Sequence, residues 1–299
     1  MTRYSIGIVG AGRLGRALLY GLKKAGHSIS FIATHQDTSV ADLRVDFSET
    51  QFTSTFRQLP PADVIFLTVP DDAIGDIASD LAENAPNLRQ TIVAHTSGAK
   101  SSELLVGLRE RGARVASFHP AQSFAGLPDD FQKFPGTTIA IEGDSAAVAV
   151  LVAIAHSLGG TPLEIPTAAK PLYHLACVMA SNYSTSLMDS ALDVLEKIGI
   201  PRPKGKVILL PLFQTTARNL EAADPETILT GPIARGDVQT VEAHLENLVK
   251  KNPARLATYI ALGRETLRLA RRVAPQNESR YREMEELFRK IEKEVPPNK

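Results

Sequence analysis

Short apolar runs alternate with amphipathic stretches through the first part of the chain. The apolar runs predict β-strands at residues 4–9, 28–33, 63–69, 91–94, 114–118 and 137–141. Between several of them, apolar side chains recur at helical spacing, which predicts helices at residues 14–24, 73–81, 102–111 and 146–158. Alternation of strands and helices is typical of a mostly parallel sheet that is covered by helices on both faces.

The pattern changes near residue 165. Apolar positions recur at helical spacing over residues 168–198 and again over residues 238–248, and we find no strand pattern after residue 168. Asp237 precedes the second of these stretches and is its predicted N-cap. We therefore predict an α/β domain over residues 1–165, followed by an all-α domain over residues 166–299.

The strongest motif is a glycine-rich loop between the first predicted strand and the first predicted helix, Gly10-Ala11-Gly12-Arg13-Leu14-Gly15. In this context the first glycine permits a tight turn, and the second lets the backbone approach a pyrophosphate. The third lets helix and strand pack closely, so that the helix N-terminus points at the phosphates. The first domain is therefore predicted to be a doubly wound Rossmann domain. Its cofactor-binding candidates in this loop are Gly10, Gly12, Arg13, Leu14 and Gly15.

The end of the second strand indicates which dinucleotide is bound, because an acidic residue there binds the ribose 2′-hydroxyl of NAD. This chain has Phe31-Ile32-Ala33-Thr34-His35-Gln36 at that place, without an acid. Thr34 and His35 can donate hydrogen bonds, and Arg13 lies close by in the glycine loop. Since no carboxylate would repel a 2′-phosphate, we predict NADP(H) as the cofactor.

Polar loops follow the next three predicted strands. Loops at the carboxyl ends of parallel strands face the cofactor cleft of a doubly wound sheet. We therefore assign Val69 and Pro70 of the first loop, with Thr96 and Ser97 of the second, to the cofactor site. Ser97 and His119 are also assigned to the substrate site.

Two kinds of titratable side chain stand in these loops. Asp71 or Asp72 is predicted to cap the helix that follows. His95 and His119 follow consecutive strands, and either is a candidate for acid–base catalysis. The alternative is that these histidines are structural.

The composition narrows the class of function. Lys+Arg and Asp+Glu both number 33, so the formal net charge is zero, which argues against a nucleic-acid-binding protein. No apolar run is long enough for a membrane helix, and the first residues run directly into strand-like sequence instead of a signal peptide. Cys177 is the only cysteine, which excludes an internal disulfide and a multi-cysteine metal site. We expect a soluble cytoplasmic protein without a metal, a nucleic-acid partner or a membrane partner.

Several motifs together resemble a known superfamily. The glycine loop, Thr68-Val69-Pro70-Asp71 and a long helix beginning near Lys170 are similar to those of Rossmann-domain dehydrogenases with an all-helical C-terminal domain. This superfamily includes 6-phosphogluconate, 3-hydroxyisobutyrate and prephenate dehydrogenases, pyrroline-5-carboxylate reductases and ketopantoate reductases. One subfamily, whose helical part is a domain of unknown function, resembles the chain more closely, through His95-Thr-Ser-Gly98, Ser117-Phe-His-Pro120, Tyr173-His174 to Asn182, and Thr230 to Asp237.

The resemblance implies catalytic residues on the long helix. In these dehydrogenases a lysine that opens the helix exchanges a proton with the substrate oxygen, and an asparagine one turn later orients the substrate. Lys170 stands at the place of the lysine, but the position one turn later is His174, and Asn182 lies two turns further along. The catalytic candidates are therefore Lys170, His174, Asn182 and His119. The alternative for Lys170 is an exposed lysine in a first helical turn.

The segment from Thr230 to Asp237 predicts a turn that leads into a helix. Thr230 and the free N–H groups at the helix N-terminus can hold a carboxylate, and Arg235 can bind one bidentately. The segment resembles the loop that binds the substrate carboxylate in pyrroline-5-carboxylate reductases. We assign Thr230, Arg235 and Asp237 to the substrate site, the alternative being a capped turn in which Arg235 pairs with Asp237.

These observations favour an NADP(H)-dependent reductase of a small carbonyl-bearing carboxylic acid, with ketopantoate as the most attractive substrate. Prephenate or arogenate dehydrogenation is a second interpretation, because the loop with His119-Pro120 resembles theirs. A dinucleotide-binding regulator without turnover is a third. Residues 168–198 and 207–213 carry more apolar surface than a small helical layer buries, so we also predict a homodimer joined through the helical domain.

Overall fold

The computed structural model describes residues 2–34 and 40–295. The chain divides into two compact units, Met1–Asn182 and Tyr183–Lys299.

The first unit is built on a sheet of eight strands. They are β1 (Ser5–Val9), β2 (Ser28–Ala33), β3 (Gln51–Thr53), β4 (Val64–Leu67), β5 (Ile92–His95), β6 (Arg114–Pro120), β7 (Thr138–Gly143) and β8 (Thr161–Glu164). Their order is β3-β2-β1-β4-β5-β6-β7-β8, and neighbours are parallel except β6 and β7. The chain moves from β1 outward in both directions, so the carboxyl end of β1 is the switch point at which such sheets bind ligands.

Five α-helices among the described residues of this α/β part cover both faces of the sheet. They are α1 (Arg13–Lys24), α2 (Ala41–Asp46), α3 (Ile74–Asn84), α4 (Val106–Glu110) and α5 (Ser145–Ser157). Leu18 of α1 and Leu151 of α5 belong to a buried apolar cluster on one face. Leu81 of α3 and Leu108 of α4 belong to a second cluster on the other face. The helix predicted at residues 102–111 begins as a 3₁₀ turn and becomes α-helical only at Val106.

The predicted fold class is confirmed, with two additions to the sheet. The six predicted strands correspond to β1, β2, β4, β5, β6 and β7. The pattern missed β3, because it has only three residues, and β8, because it contains Pro162 and is mostly exposed. Apolar alternation also does not distinguish the antiparallel direction of β7 from a parallel one.

The chain becomes helical directly after β8. A 3₁₀ turn (Thr167–Ala169) leads into α6 (Lys170–Cys177), a π-helical turn (Val178–Asn182) and α7 (Tyr183–Glu196), so the stretch predicted as one helix is interrupted. The predicted boundary at residue 165 falls where strands give way to helices. The compact units divide later, at Asn182, because α6 is tied to the sheet through the buried Lys170.

The second unit contains helices, and no strand, among its described residues. After α7 it contains α8 (Arg202–Ala222), α9 (Pro225–Ile228), α10 (Pro232–Arg235), α11 (Val238–Lys251), α12 (Leu256–Val273) and α13 (Glu278–Glu294). Leu245 of α11, Leu267 of α12 and Phe288 of α13 form part of one buried core. As predicted, Asp237 caps α11, accepting a hydrogen bond from the Thr240 N–H at 3.1 Å. Over residues 2–34 and 40–295, no helix combines the length and the apolar character needed to cross a membrane.

Candidate functional site

The glycine loop has the geometry of a diphosphate cradle. Gly10 has a φ of +97°, which glycine adopts without strain, and a Cβ on Gly15 would lie 2.2 Å from the Gly10 carbonyl oxygen. A Cβ on Gly12 would meet no atom within 4 Å, so the space in front of this residue is open. A cavity of about 410 Å³ lies over the loop, and it is lined by Gly10, Gly12, Thr34, Val69 and Pro70 among others. The residues present therefore fit a dinucleotide.

The other predicted residues near this cavity have different roles. Leu14 packs against the apolar cluster under α1. Arg13 is exposed at the first position of α1, where its methylene stem lies against Gly126. Thr34 lines the cavity, and His35 lies outside the described residues.

The loop after β4 is joined to the loop after β5. Ser97 Oγ donates a hydrogen bond to the Asp71 carboxylate at 2.7 Å, and it accepts hydrogen bonds from two backbone N–H groups of its own turn. The prediction that Asp71 or Asp72 caps α3 is wrong, because α3 begins at Ile74 and its N-cap makes no side-chain hydrogen bond. Thr96 is buried and donates to the Leu67 carbonyl at 3.3 Å. Both predicted side chains of the β5 loop thus bind protein groups.

His95 is structural in this arrangement. Its Nδ1 accepts a hydrogen bond from the Ser97 N–H at 3.2 Å, so Nε2 carries the proton and donates to the Ser101 carbonyl at 3.0 Å. Burial lowers the pKa of His95 to about 4. The neutral ring therefore shapes the loop that holds Ser97.

Lys170 is enclosed at the carboxyl ends of β5 and β6. Its side chain is wholly buried, and Nζ donates to the Ser97 carbonyl at 2.8 Å and to Ser117 Oγ at 2.6 Å. Burial lowers the pKa of Lys170 to about 8, although the charges of Glu142 and Asp71 raise it. The interpretation of Lys170 as an exposed lysine of a first helical turn is therefore wrong. Its pKa lies in the range where a group can both give and accept a proton near neutral pH.

Glu142 is a buried carboxylate beside this lysine that the sequence analysis did not single out. It accepts hydrogen bonds from the Ser102 N–H at 2.7 Å, from Ser102 Oγ at 2.8 Å and from Thr167 Oγ1 at 2.9 Å. Burial opposes its ionisation, but hydrogen bonds from Ser102, Ser117 and Thr167 outweigh burial and lower the pKa of Glu142. An acid within an otherwise apolar strand was the signal that would have found it.

Two histidines approach each other over Gly98. The rings of His119 and His174 are perpendicular, with centroids 5.8 Å apart. A Cβ on Gly98 would lie 2.4 Å from His174 Nδ1 and 2.7 Å from His119 Nε2, so only glycine leaves room for both rings. His174 Nδ1 is buried and has no hydrogen-bond partner among the described residues.

His119 and Tyr173 form the neighbouring part of this cluster. His119 Nδ1 lies 3.3 Å from the Tyr173 hydroxyl. Burial lowers the pKa of His119 to about 4, and the charge of Lys170 acts in the same direction. Burial and the interaction with Cys177 raise the pKa of Tyr173. Near neutral pH, His119 is therefore uncharged and Tyr173 keeps its proton.

The structure thus brings three of the four predicted catalytic residues close to one segment, Ser97–Gly98: Lys170, His119 and His174. Asn182 is exposed at the end of the π-helical turn.

The predicted carboxylate-binding residues belong to the second unit. Thr230 and Arg235 line a cavity of about 260 Å³ together with Leu229, Gly231 and residues of α12. Asp237 has its carboxylate committed to Thr240, whose N–H and Oγ1 both donate to it. The Thr240 N–H, which donates to this carboxylate, and the Val238 N–H, which donates to the Gly236 carbonyl, are therefore not free for a substrate.

Comparisons with known proteins agree with this fold. A Rossmann-like domain model matches residues 1–120, and a domain of unknown function, DUF2520, matches residues 137–266. The second match spans both Lys170 and the segment from Thr230 to Asp237. The chain has no match among the curated proteins.

Solved structures share the fold over most of the chain. A proposed NADP oxidoreductase from Bacteroides fragilis is 24% identical, covering 91% of this chain and 98% of its own, with a TM-score of 0.70. A protein from Thermotoga maritima is 28% identical, covering 91% and 99%, with a TM-score of 0.69. A reductive aminase from Aspergillus terreus in complex with NADPH and ethyl-5-oxohexanoate is 16% identical, covering 98% and 95%, with a TM-score of 0.63. Imine reductases and pyrroline carboxylate reductases also match.

Proposed function

We propose that this chain is an NADP(H)-dependent oxidoreductase that reduces a C=O or C=N bond in a small carboxylic acid. The observation that carries the proposal is the pairing of two features at the carboxyl edge of one sheet. One is the open cavity over the glycine loop, and the other is the buried Lys170 with a pKa of about 8. The hydrogen bond from Ser97 to Asp71 joins the loop after β4, which lines the cavity, to the loop after β5, which contacts Lys170.

The first part of the proposal concerns the cofactor. The Gly10 N–H donates to the Ala33 carbonyl, so the N–H groups that follow it at the start of α1 would hold the diphosphate. Thr34, Val69 and Pro70 would line its path. When bound, NADP(H) supplies the hydride. The absence of an acid at Thr34 supports NADP(H) over NAD(H), as do fold relatives that are named for NADP.

The second part concerns the proton. Reduction of C=O or C=N leaves a negative charge or a basic nitrogen that must be protonated, and a group with a pKa close to ambient pH does this best. Lys170 meets this condition, whereas His95 and His119 are uncharged near neutral pH because their pKa values are lowered to about 4. We therefore assign Lys170 as the proton donor. The rings of His119 and His174 limit the space over Gly98.

Two lines of support favour the proposed class of substrate. Thr230 and Arg235 line a cavity of the second unit, in a segment that resembles the carboxylate-binding loop of pyrroline-5-carboxylate reductases, and Arg235 can bind a carboxylate bidentately. This favours a carboxylic acid such as ketopantoate, or prephenate and arogenate in the oxidative direction. The names of the fold relatives, which include imine reductases and pyrroline carboxylate reductases, add cyclic imino acids.

The experiment is a substrate panel with two independent readouts. NADPH binding is measured by fluorescence, and NADPH oxidation is followed with 2-keto acids, including ketopantoate, and with cyclic imines such as pyrroline-5-carboxylate. NADP⁺ reduction is followed with prephenate and arogenate. We expect tighter binding of NADPH than of NADH and turnover with at least one class. Tight NADPH binding with no turnover across the panel would instead favour a dinucleotide-binding regulator, and tighter NADH binding would overturn the choice of cofactor.

A further inference from the structure

Thr68 follows β4 directly and lies beside the glycine loop. Its Oγ1 donates a hydrogen bond to the Gly10 carbonyl and, over 3.2 Å, to the Val9 carbonyl. A hydroxyl has one proton, which these two carbonyls share, and the Gly10 carbonyl is the closer of the two. The Thr68 N–H donates to the Val9 carbonyl as well, at 2.8 Å. Thr68 therefore holds the end of β1 and the first glycine of the loop from the neighbouring strand.

The Gly10 carbonyl oxygen faces the protein. A Cβ on Gly15, in the first turn of α1, would lie 2.2 Å from this oxygen and 2.6 Å from Thr68 Oγ1. The oxygen is thus packed between the Thr68 hydroxyl and the start of the helix. This direction suits a diphosphate site, because a carbonyl oxygen only accepts hydrogen bonds and the oxygens of a diphosphate are acceptors too.

The direction of the carbonyl also sets the direction of the next N–H group. The peptide bond between Gly10 and Ala11 is planar and trans, so its C=O and N–H groups point in opposite directions. The Ala11 N–H therefore points away from Thr68 and Gly15. Among the residues that the structure describes, no protein group accepts a hydrogen bond from it. Ala11 lines the cavity over the loop, so this N–H group is available to a ligand there.

We propose that Thr68 is a positioning residue for the diphosphate of the dinucleotide. Its hydroxyl holds the Gly10–Ala11 peptide with the carbonyl against the protein and the N–H toward the cofactor. This inference rests on the proposed function, in which the glycine loop binds NADP(H). The backbone alone does not fix this peptide, because glycine adopts several backbone conformations at little cost. Without the Thr68 hydroxyl, the peptide could turn and present an acceptor to the diphosphate in place of a donor.

The test compares NADPH affinity, measured by fluorescence, among variants of this hydroxyl. Thr68→Val keeps the shape of the side chain but removes the donor, and we expect NADPH to bind about tenfold more weakly, the equivalent of one hydrogen bond. Thr68→Ser keeps the hydroxyl and should restore the affinity.

Thr91→Val is the matched control. Thr91 Oγ1 donates to the Ala62 carbonyl at 3.3 Å, but it does so at the amino ends of β4 and β5, the opposite edge of the sheet. Each valine variant loses one hydrogen bond of the folded protein, so their thermal unfolding midpoints should fall by similar amounts. Only Thr68→Val should lose NADPH affinity.

NMR of protein that contains ¹⁵N-labelled alanine gives a direct readout of the peptide. The Ala11 amide resonance is identified by its loss in Ala11→Ser. NADPH should shift this resonance in the unaltered protein and in Thr68→Ser, and it should shift it less in Thr68→Val. If the Ala11 resonance does not move when NADPH binds to the unaltered protein, the inference is overturned, even if Thr68→Val does not fold.

The affinities give two further outcomes that contradict the inference. One is equal NADPH affinity in the unaltered protein and a folded Thr68→Val variant, and the other is an equal loss in Thr91→Val. Failure of the proposed function looks different, because the unaltered protein itself would then not bind NADPH. Tighter binding of NADH would overturn the choice of cofactor but leave the test of Thr68 intact, since both dinucleotides contain the same diphosphate.

Discussion

The two compact units differ in which side chains they bury and which they leave exposed. In residues 1–182, polar side chains such as Lys170, Glu142 and Ser117 are buried, and each is hydrogen-bonded to the others or to the backbone. In residues 183–299, apolar side chains are exposed along α8, including Val207 at 75% and Leu212 at 66%. Burial of polar groups is costly unless they are paired, and large exposed apolar patches are rare on monomers. The first unit therefore buries paired polar groups, whereas the second leaves large apolar side chains of α8 exposed.

The largest expected effect is on the cofactor site of the first unit. Gly12→Asp places a carboxylate in the open space in front of the glycine loop, where the diphosphate would lie. We expect NADPH binding to be abolished while the thermal unfolding midpoint stays close to that of the unaltered protein. Gly107→Asp is the matched control, because a Cβ there also meets no atom within 4 Å, but the residue lies in α4. Equal NADPH affinity in the two variants would contradict the assignment of this loop.

The next effect concerns the buried lysine. Lys170→Met removes the proposed proton donor, and general acid–base groups contribute about 10²–10⁴-fold to kcat. NADPH affinity should change little. The variant also leaves the Ser97 carbonyl and Ser117 Oγ without their donor, at a cost of about 1–3 kcal/mol for each unpaired group, so a lower unfolding midpoint is expected.

Lys100→Met, at an exposed lysine in the same region, is the control for this variant. A decrease in kcat of less than about tenfold would return the role of proton donor to His174 or His119. The pH dependence separates these residues. With Lys170 as the acid, activity should hold below pH 8 and fall as the pH rises through about 8. With His119 as the acid, activity would already be lost near neutral pH, because burial lowers the pKa of His119 to about 4.

The smallest expected effect on chemistry concerns the exposed apolar side chains of α8 in the second unit. We propose that a second copy of this chain covers the apolar side chains of α8. Monomeric proteins rarely expose an apolar patch of more than a few hundred Å². Val207→Asp combined with Leu212→Asp should shift the mass measured by light scattering from dimer to monomer. Val45→Asp, at an exposed valine of α2, should leave the dimer intact. A monomer mass for the unaltered chain at micromolar concentration would refute the proposal.

The fold was largely predictable because the Rossmann unit depends on local patterns. The predicted strands are apolar runs that are wholly or partly buried, and the glycine loop stands between a strand and a helix as its motif requires. Failures occurred where the local signal was weak. Gln51–Thr53 is too short to show a pattern, and Thr161–Glu164 has few buried positions. The π-helical turn at Val178–Asn182 does not interrupt the apolar spacing and was therefore missed.

The site was only partly predictable because its contacts join residues distant in sequence. The resemblance pointed to Lys170, but its partners Ser117 and Glu142 depend on the pairing of β6 with an antiparallel β7. The local prediction that Asp71 or Asp72 caps a helix was wrong, and the side chain of Ser97, 26 positions from Asp71, binds Asp71 instead. Local rules describe caps and strands, whereas the direction in which strands pair is a property of the whole sheet.

The bare Cα of Gly98 links three positions that lie in different parts of the sequence. Any side chain at this position would collide with the rings of His119 and His174, so alanine can replace the glycine only if both imidazoles move or are replaced by smaller side chains. The residues at positions 98, 119 and 174 should therefore co-vary among related sequences. Among related sequences, glycine at position 98 together with both histidines would mark one group of relatives. Substitution at one position would be accompanied by substitution at another, which offers a criterion for sorting relatives whose overall identity is too low to do so.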